Sequence, residues 1–297
     1  MALDRDQNGG APAHEGLDPG RALEQDEFDV HFQPKVDLRN GRVIGVEALA
    51  RWSHPSLGLL AGETFIDQVA ASGRMPDLTE RVIEIATRAA GDWWHSGLQL
   101  QLSVNLRSDD PAADGRNLDE FVSQALSAAR LPGEALQFEI TENCLISDPP
   151  RAAEALERLT RLGATIALDD FGTGHFSLRQ LVRLPLEELK IDRSLIIGLG
   201  DEENKTMVRA TIHLAHQVGL PVVAEGVETR DTWQQLRAMG CERAQGFLIS
   251  KPMPAREVPA WLASWHQRAR ELSATKRPRR RTKIGVKRDK APAEATA

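Results

Sequence analysis

Residues 134–174, EALQFEITENCLISDPPRAAEALERLTRLGATIALDDFGTG, decide how the fold is read. LQFEIT is a short apolar run with the composition of a buried strand. PRAAEALERLTRLG is amphipathic at helical spacing and ends on Gly163, as helices commonly do. TIALDD is a second buried strand, running into a loop with two glycines. A strand, a helix and a strand in about 30 residues make one crossover unit of a parallel sheet.

The same alternation continues on both sides. Apolar runs occur at 98–106 (LQLQLSVNL), 188–192 (ELKID), 220–227 (LPVVAEGV) and 241–249 (CERAQGFLI), and most read as strands. Amphipathic stretches at 77–97, 118–131, 204–219, 230–240 and 254–272 read as helices. About eight such units of roughly 30 residues fit a closed (β/α)8 barrel better than two doubly wound domains. The start differs. FDVHFQPKVDL and RVIGVEALARW are joined through Asn40 and Gly41, a hairpin signal. The expected fold is therefore α/β, a modified TIM-like barrel whose first strand is antiparallel.

Composition sets the limits of this domain. With 27% charged and 41% hydrophobic residues in a chain of 297, and no apolar run of spanning length, the chain reads as a water-soluble globular protein. Its N-terminus lacks the basic start and apolar middle of a secretory signal, and its two cysteines, Cys144 and Cys241, form no CxxC pair. These features indicate a reducing cytoplasm. Residues 1–24 and 269–297 are expected to be unstructured, leaving 25–268 as the barrel domain. Between Lys276 and Lys290 lie nine basic residues and one acid, so with Glu294 the tail carries +7 and the rest of the chain −13. Such a tail serves either as a solvated end or as a contact for nucleic acid, anionic lipid or an acidic partner.

Polar residues fall at or near the ends of the strands: Glu47, Asn105, Glu139, the pair Asp169 and Asp170, Lys190, Glu225 and Gln245. In a barrel these ends meet at one mouth, where sites of this architecture are built. One strand-end acid alone would be a cap or a surface residue. Several acids in one cavity cannot all remain ionised without compensation, and oxygen ligands favour Mg²⁺ or Mn²⁺ over zinc. Asp169 and Asp170 could reach two ions about 3.5–4 Å apart, with Asp169 as the bridge. Lys190 adds a fixed positive charge for an attacking water or phosphoryl oxygens. Arg51 is either a phosphate clamp or a rim ion pair. His213 and His216 have ligand spacing but lie on a helix away from the strand ends. The chain contains no GxSxG elbow and no P-loop, and its DDFG lacks every companion motif of a kinase.

With these residues in view, the chain resembles the EAL-domain family of bacterial cyclic di-GMP phosphodiesterases over about residues 27–265. The resemblance rests on FQPKVDLRNGRVIGVEALARW, SVNL, FEITEN, DDFGTG, LKID, AEGVET and QGFLISKPMP. It implies Mg²⁺- or Mn²⁺-dependent hydrolysis of cyclic di-GMP to linear pGpG, with two ions per site. One ion would be held by Glu47, Asn105, Glu139 and Asp169, and the other by Asp169, Asp170 and Glu225. Lys190 and Glu225, with Glu47, would carry the chemistry. Gln33, Leu49, Arg51 and Gln245 would contact substrate, Gln245 also supporting the ion shell together with Glu228. Glu142 would steady the loop after DDFG, which makes the family's usual homodimer contact. His175 and Phe176 in that loop, Phe32 for the common tyrosine, and Lys35 where an aliphatic residue is usual depart from the pattern. The rival reading is a silent cyclic di-GMP receptor or interaction module.

Overall fold

The computed structural model describes residues 16–106, 117–142, 149–172 and 181–273. Helix α1 (Pro19–Glu24) precedes β1 (Phe28–Asp37), β2 (Val43–His54) and the short β3 (Gly58–Ala61). Helices α2 (Gly62–Ala71) and α3 (Met75–His95) lead to β4 (Gln101–Leu106), α4 (Leu118–Ala129), β5 (Leu136–Thr141), α5 (Pro149–Arg161) and β6 (Thr165–Phe171). After β7 (Leu186–Ile191) come α6 (Arg193–Ile197), α7 (Glu202–Gln217), β8 (Val222–Ala224) and α8 (Arg230–Met239). The two-residue strands β9 (Arg243–Ala244) and β10 (Met253–Pro254) precede the closing helix α9 (Val258–Ser273).

β1 pairs antiparallel with both β2 and β9, while β2, β4, β5, β6, β7, β8 and β9 follow one another in parallel. The eight strands therefore close into a ring. β3 is a hairpin partner outside the ring, and β10 pairs antiparallel along the far part of β1. Gly41, at φ +72°, turns the chain between β1 and β2, and the Asp37 side chain accepts from the N–H groups of Arg39 and Asn40. The expected barrel with its antiparallel first strand is what forms.

Outward-facing residues of the strands, such as Leu102, Val104, Phe138, Ile166 and Leu168, are buried beneath the helices. Each contributes about 1.5–3 kcal/mol by leaving water. Helix starts are marked by polar caps: Asp192 accepts from Ser194 N–H at 2.9 Å, and Thr229 from Thr232 N–H at 3.1 Å.

Two expected boundaries shift. Residues 19–24, expected to be irregular, form α1, started by an Asp18 cap at 3.0 Å and by Pro19 in the first turn. α9 runs to Ser273, past the expected boundary at 268. The rest of the basic tail and the loop holding His175 and Phe176 lie outside the described residues.

Candidate active site and metal centre

Inward-facing residues of the strands form two polar layers, because side chains on one face of a strand recur every second residue. The layer nearer the mouth contains Gln33, Glu47, Asn105, Glu139, Asp169, Lys190, Glu225 and Gln245, and most of it lines a cavity of about 710 Å³ together with Leu49, Arg51, Asp170 and Glu228. Glu47 lies mid-strand in β2, yet only residues 45–48 of that strand pair with β4. Beyond Ala48 the strand stays paired with β1 but exchanges β4 for β3, so on the β4 side Glu47 does stand where the barrel wall ends.

Lys190 is the centre of this layer. It is fully buried, and its Nζ lies 2.5 Å from Glu139 Oε2, 2.6 Å from Glu225 Oε1, 3.1 Å from Asp169 Oδ2 and 3.9 Å from Glu47 Oε2. The surrounding carboxylates push its ammonium well above the usual lysine range despite burial. Amides hold Glu47: Asn105 donates to Oε1 at 2.7 Å, and Gln245 donates to Oε2 at 2.5 Å. Gln245 also donates to Gln33 Oε1 at 3.0 Å, and Gln33 in turn donates to Ser250 O.

Adjacent residues of a regular strand point to opposite faces, so a special device must bring Asp169 and Asp170 to one cavity. The pairing of β6 with β7 slips between Leu168 and Phe171, a bulge in the ladder. Asp170 adopts φ +55°, a left-handed conformation rare for a side-chain-bearing residue, and its N–H donates to Asp169 Oδ1 at 2.9 Å. One carboxylate oxygen from each of Asp169, Asp170 and Glu225 then lies within 4.8 Å of the others.

This donor set fits divalent ions. Four acids face Lys190 in this layer and Asp170 adjoins them, every donor atom is oxygen, and Glu139 Oε1 is buried with no hydrogen-bond partner among the described residues. Without cations, protons are drawn in instead. Burial, reinforced by Glu47 and Asp169 against the opposing pull of Lys190, raises Glu139 to about 8. Burial and then Asp169 raise Asp170 to about 6. Burial likewise pushes Glu225 well above the usual carboxylate range.

These raised values fix the sign of a pH effect. Ions must displace protons from Asp170 and Glu139, so divalent-ion affinity should tighten as pH rises through about 6 and about 8. Calorimetric Mn²⁺ titrations at pH 6 and pH 8, in buffers of different ionisation enthalpy, should show tighter binding and less proton release at pH 8. Equal affinity at both values would contradict this account.

The remaining expected residues are placed as follows. Arg51 lines the cavity and spends one donor on Ala50 O at 2.8 Å. Glu228 accepts from Arg193 at 3.2 Å on the cavity rim. Glu142 is buried just past the end of β5, but the loop it was expected to steady lies outside the described residues. His216 bonds Glu242 at 2.8 Å away from the cavity, so the HLAH spacing joins no site. Within the apolar run 241–249 the ladder pairs among the described residues are made by Arg243 and Ala244, just before Gln245. Beyond them the chain turns at Gly246, where a Cβ would lie 2.3 Å from Val227 N.

Sequence reasoning missed the second polar layer, one step deeper in the barrel: Lys35, Ser103, Gln137, Glu188 and Arg243. Its signal was available, since each of these is two residues along a strand from Gln33, Asn105, Glu139, Lys190 or Gln245.

Comparison with known proteins agrees with this geometry. A family model described as the EAL domain matches residues 20–252. MucR of Pseudomonas aeruginosa, a bifunctional diguanylate cyclase/cyclic di-GMP phosphodiesterase, is 39% identical over 245 residues, covering 82% of this chain and 36% of MucR. PdeR of Escherichia coli, a cyclic di-GMP phosphodiesterase, is 34% identical over 250 residues, covering 84% of this chain and 37% of PdeR. The solved structure of the P. aeruginosa MucR phosphodiesterase in complex with c-di-GMP matches with a TM-score of 0.76 at 38% identity, over 80% of this chain and 96% of that one. The chain spans about a third to two fifths of the length of the curated relatives it matches. With the domain matched over most of its length and the acids gathered in the barrel mouth, the chain belongs to the EAL domain family.

Proposed function

We propose that the chain hydrolyses one phosphodiester bond of cyclic di-GMP to give linear pGpG, and so lowers the level of that second messenger. One observation carries this reading: Glu47, Glu139, Asp169 and Glu225 meet around the buried Lys190, and Glu47, Asp169 and Glu225 line one open cavity together with Asn105 and Asp170. A receptor would gain little from keeping so costly a cluster of acids. Glu47, Asn105, Glu139 and Asp169 would hold one Mg²⁺ or Mn²⁺, and Asp169, Asp170 and Glu225 a second. Such ions, when bound, lower the pKa of an attacking water and stabilise the leaving oxygen.

The chain's own groups supply the rest. Glu225, which lines the cavity beside Asp169 and Asp170, is placed to accept the proton of the attacking water at Oε. Lys190 Nζ, 2.6 Å from Glu225 Oε1, orients that carboxylate and offsets charge on the phosphoryl oxygens. Gln245 and Asn105 fix Glu47. Arg51, Leu49 and Gln33 form the wall against which the nucleotide is held, with Glu228 on the rim.

Incubating the protein with cyclic di-GMP and Mg²⁺ or Mn²⁺ and separating the products should yield pGpG, and Glu47→Ala should yield almost none. Ca²⁺ should inhibit, because its larger and looser shell misplaces the water. Tight binding without turnover would establish the receptor reading instead, and equal turnover by Glu47→Ala would refute the site.

The buried free thiol of Cys241 is in keeping with a cytoplasmic location, and among the described residues no helix is long and apolar enough to cross a membrane. Self-association is supported by exposed Ile197 and Met207 on the contacting helices α6 and α7. A monomer in sedimentation equilibrium would remove the dimer from this picture. The tail's charge fits an anionic partner; salt-dependent binding to DNA or anionic vesicles should vanish on deleting residues after Ser273.

A further inference from the structure

An ordinary (β/α)8 barrel fills its interior with branched apolar side chains. Here the layer beneath the acids is polar and ionic. Lys35 is 1% exposed, and Glu188, Ser103 and Gln137 are equally shut away. The Lys35 ammonium contacts Gln137 Oε1 at 2.8 Å and Ser103 Oγ at 3.4 Å, and it forms a close ion pair with Glu188 Oε1. Ser103 donates to the same Gln137 oxygen at 2.8 Å, and the second oxygen of Glu188 accepts from Arg243, which enters from the far end of the barrel.

Burying these charges is costly, and apolar side chains of similar volume would fill the space as well or better. What an apolar filler cannot do is fix direction. The three groups that Lys35 holds stand on β4, β5 and β7, and each lies two residues before a member of the acidic layer: Ser103 before Asn105, Gln137 before Glu139, Glu188 before Lys190. Two residues along a strand are about 6.5 Å, one layer of the barrel interior. A single ammonium thus ties together the three strands whose next inward residues are an amide, an acid and the lysine of the proposed site.

We propose that Lys35 is a positioning residue for the phosphodiester-cleaving site: through Ser103, Gln137 and Glu188 it sets the relative stagger of β4, β5 and β7, and so the aim of Asn105, Glu139 and Lys190. This rests on the phosphodiesterase reading given above. Among the described residues the partners of the Lys35 ammonium are Ser103, Gln137 and Glu188, none of them a proposed ion ligand. Its charge also favours the ionised forms of Glu47 and Glu139, but its contacts act on geometry, and displacements of about 1 Å at such a site cost about a hundredfold in rate. Residues that orient ligands from one layer behind are worth roughly 10- to 100-fold in metal affinity or activity.

Lys35→Met alone leaves Glu188 buried with only Arg243, and can fail to fold for that reason. The deciding variant is the double Lys35→Met/Glu188→Met. It removes both buried charges of the pair, leaves Gln137 its bond from Ser103, and leaves Arg243, whose side chain is 30% exposed, within reach of water. This variant should fold with a melting temperature near that of the parent. Its Mn²⁺ affinity, measured by titration without nucleotide, should weaken at least about tenfold, and kcat for cyclic di-GMP should fall by a similar factor. KM should stay within about twofold, since the nucleotide wall is untouched.

A folded double variant with parental Mn²⁺ affinity and kcat would show the layer to be a plug and overturn the proposal. Failure of the double variant to fold would also overturn it, by making the pair a requirement of stability. If the parent itself does not turn over cyclic di-GMP, the functional reading falls, and the Mn²⁺ titration still decides the role of Lys35.

Discussion

Asp169→Asn should lower turnover of cyclic di-GMP by roughly 10³-fold, the scale of loss when a group stabilising charge in the transition state is removed. The substitution keeps shape and one carbonyl oxygen, so Asp170 N–H retains its acceptor. It replaces the other oxygen by an amide nitrogen 3.1 Å from the Lys190 ammonium and within the Asp169, Asp170 and Glu225 cluster. In the proposed arrangement Asp169 is the ligand shared by both ions, so both would be lost or displaced. Arg51→Ala should cost only ten- to hundredfold, mostly in KM, because it removes a charged hydrogen bond worth about 1.5–3 kcal/mol. Stability should move the other way. In chelator, Asp169→Asn relieves like-charge crowding that helps push Asp170 to about 6, so its melting temperature at pH 8 should equal or exceed the parent's. Equal rate losses in the two variants would rule out the shared-ligand geometry, and an Asp169→Asn protein destabilised in chelator would show that the contact with Lys190 outweighs the relief of crowding.

The barrel was legible because strand and helix alternate with clear punctuation. The run 134–174 contains one whole crossover unit, and Asn40 and Gly41 announce the antiparallel start. That these polar side chains gather at one barrel mouth was legible, since polar side chains at the ends of apolar strands have few structural reasons to be there. How the pair Asp169–Asp170 shares one cavity was not legible. Strand periodicity places neighbours on opposite faces, and the remedy is the bulge opposite β7 with the left-handed backbone of Asp170. The deeper ionic layer went unread for a different reason: Ser103, Gln137 and Glu188 stand inside otherwise apolar strands, where a single polar residue reads as noise. Only the two-residue spacing to Asn105, Glu139 and Lys190 marks them as one face.

Lys190→Met separates the lysine's two proposed roles, in chemistry and in holding the barrel mouth together. Turnover should fall by at least roughly 10²-fold, because the positive charge next to Glu225 and the phosphoryl oxygens is gone. The larger consequence is for the fold. Removing one partner from a buried ionic cluster costs about 3–5 kcal/mol, which in a chain of this size is a fall of about 10 °C in Tm. The loss should depend on pH. Glu139 and Glu225 already have raised proton affinity beside Lys190, and without it their folded-state values rise further above those of the unfolded chain. A carboxylate raised in the folded state stabilises at low pH and loses that contribution as pH climbs through its folded value. The variant in chelator should therefore be close to parental near pH 5 and weakest near pH 8. Mn²⁺ should restore it at pH 8 by more than it stabilises the parent, since ions then supply the charge the ammonium gave. Thermal melts at both pH values, with chelator and with Mn²⁺, test this. A variant as stable as the parent in chelator at pH 8 would mean that protons alone balance the acids, and that Lys190 is not what holds them together.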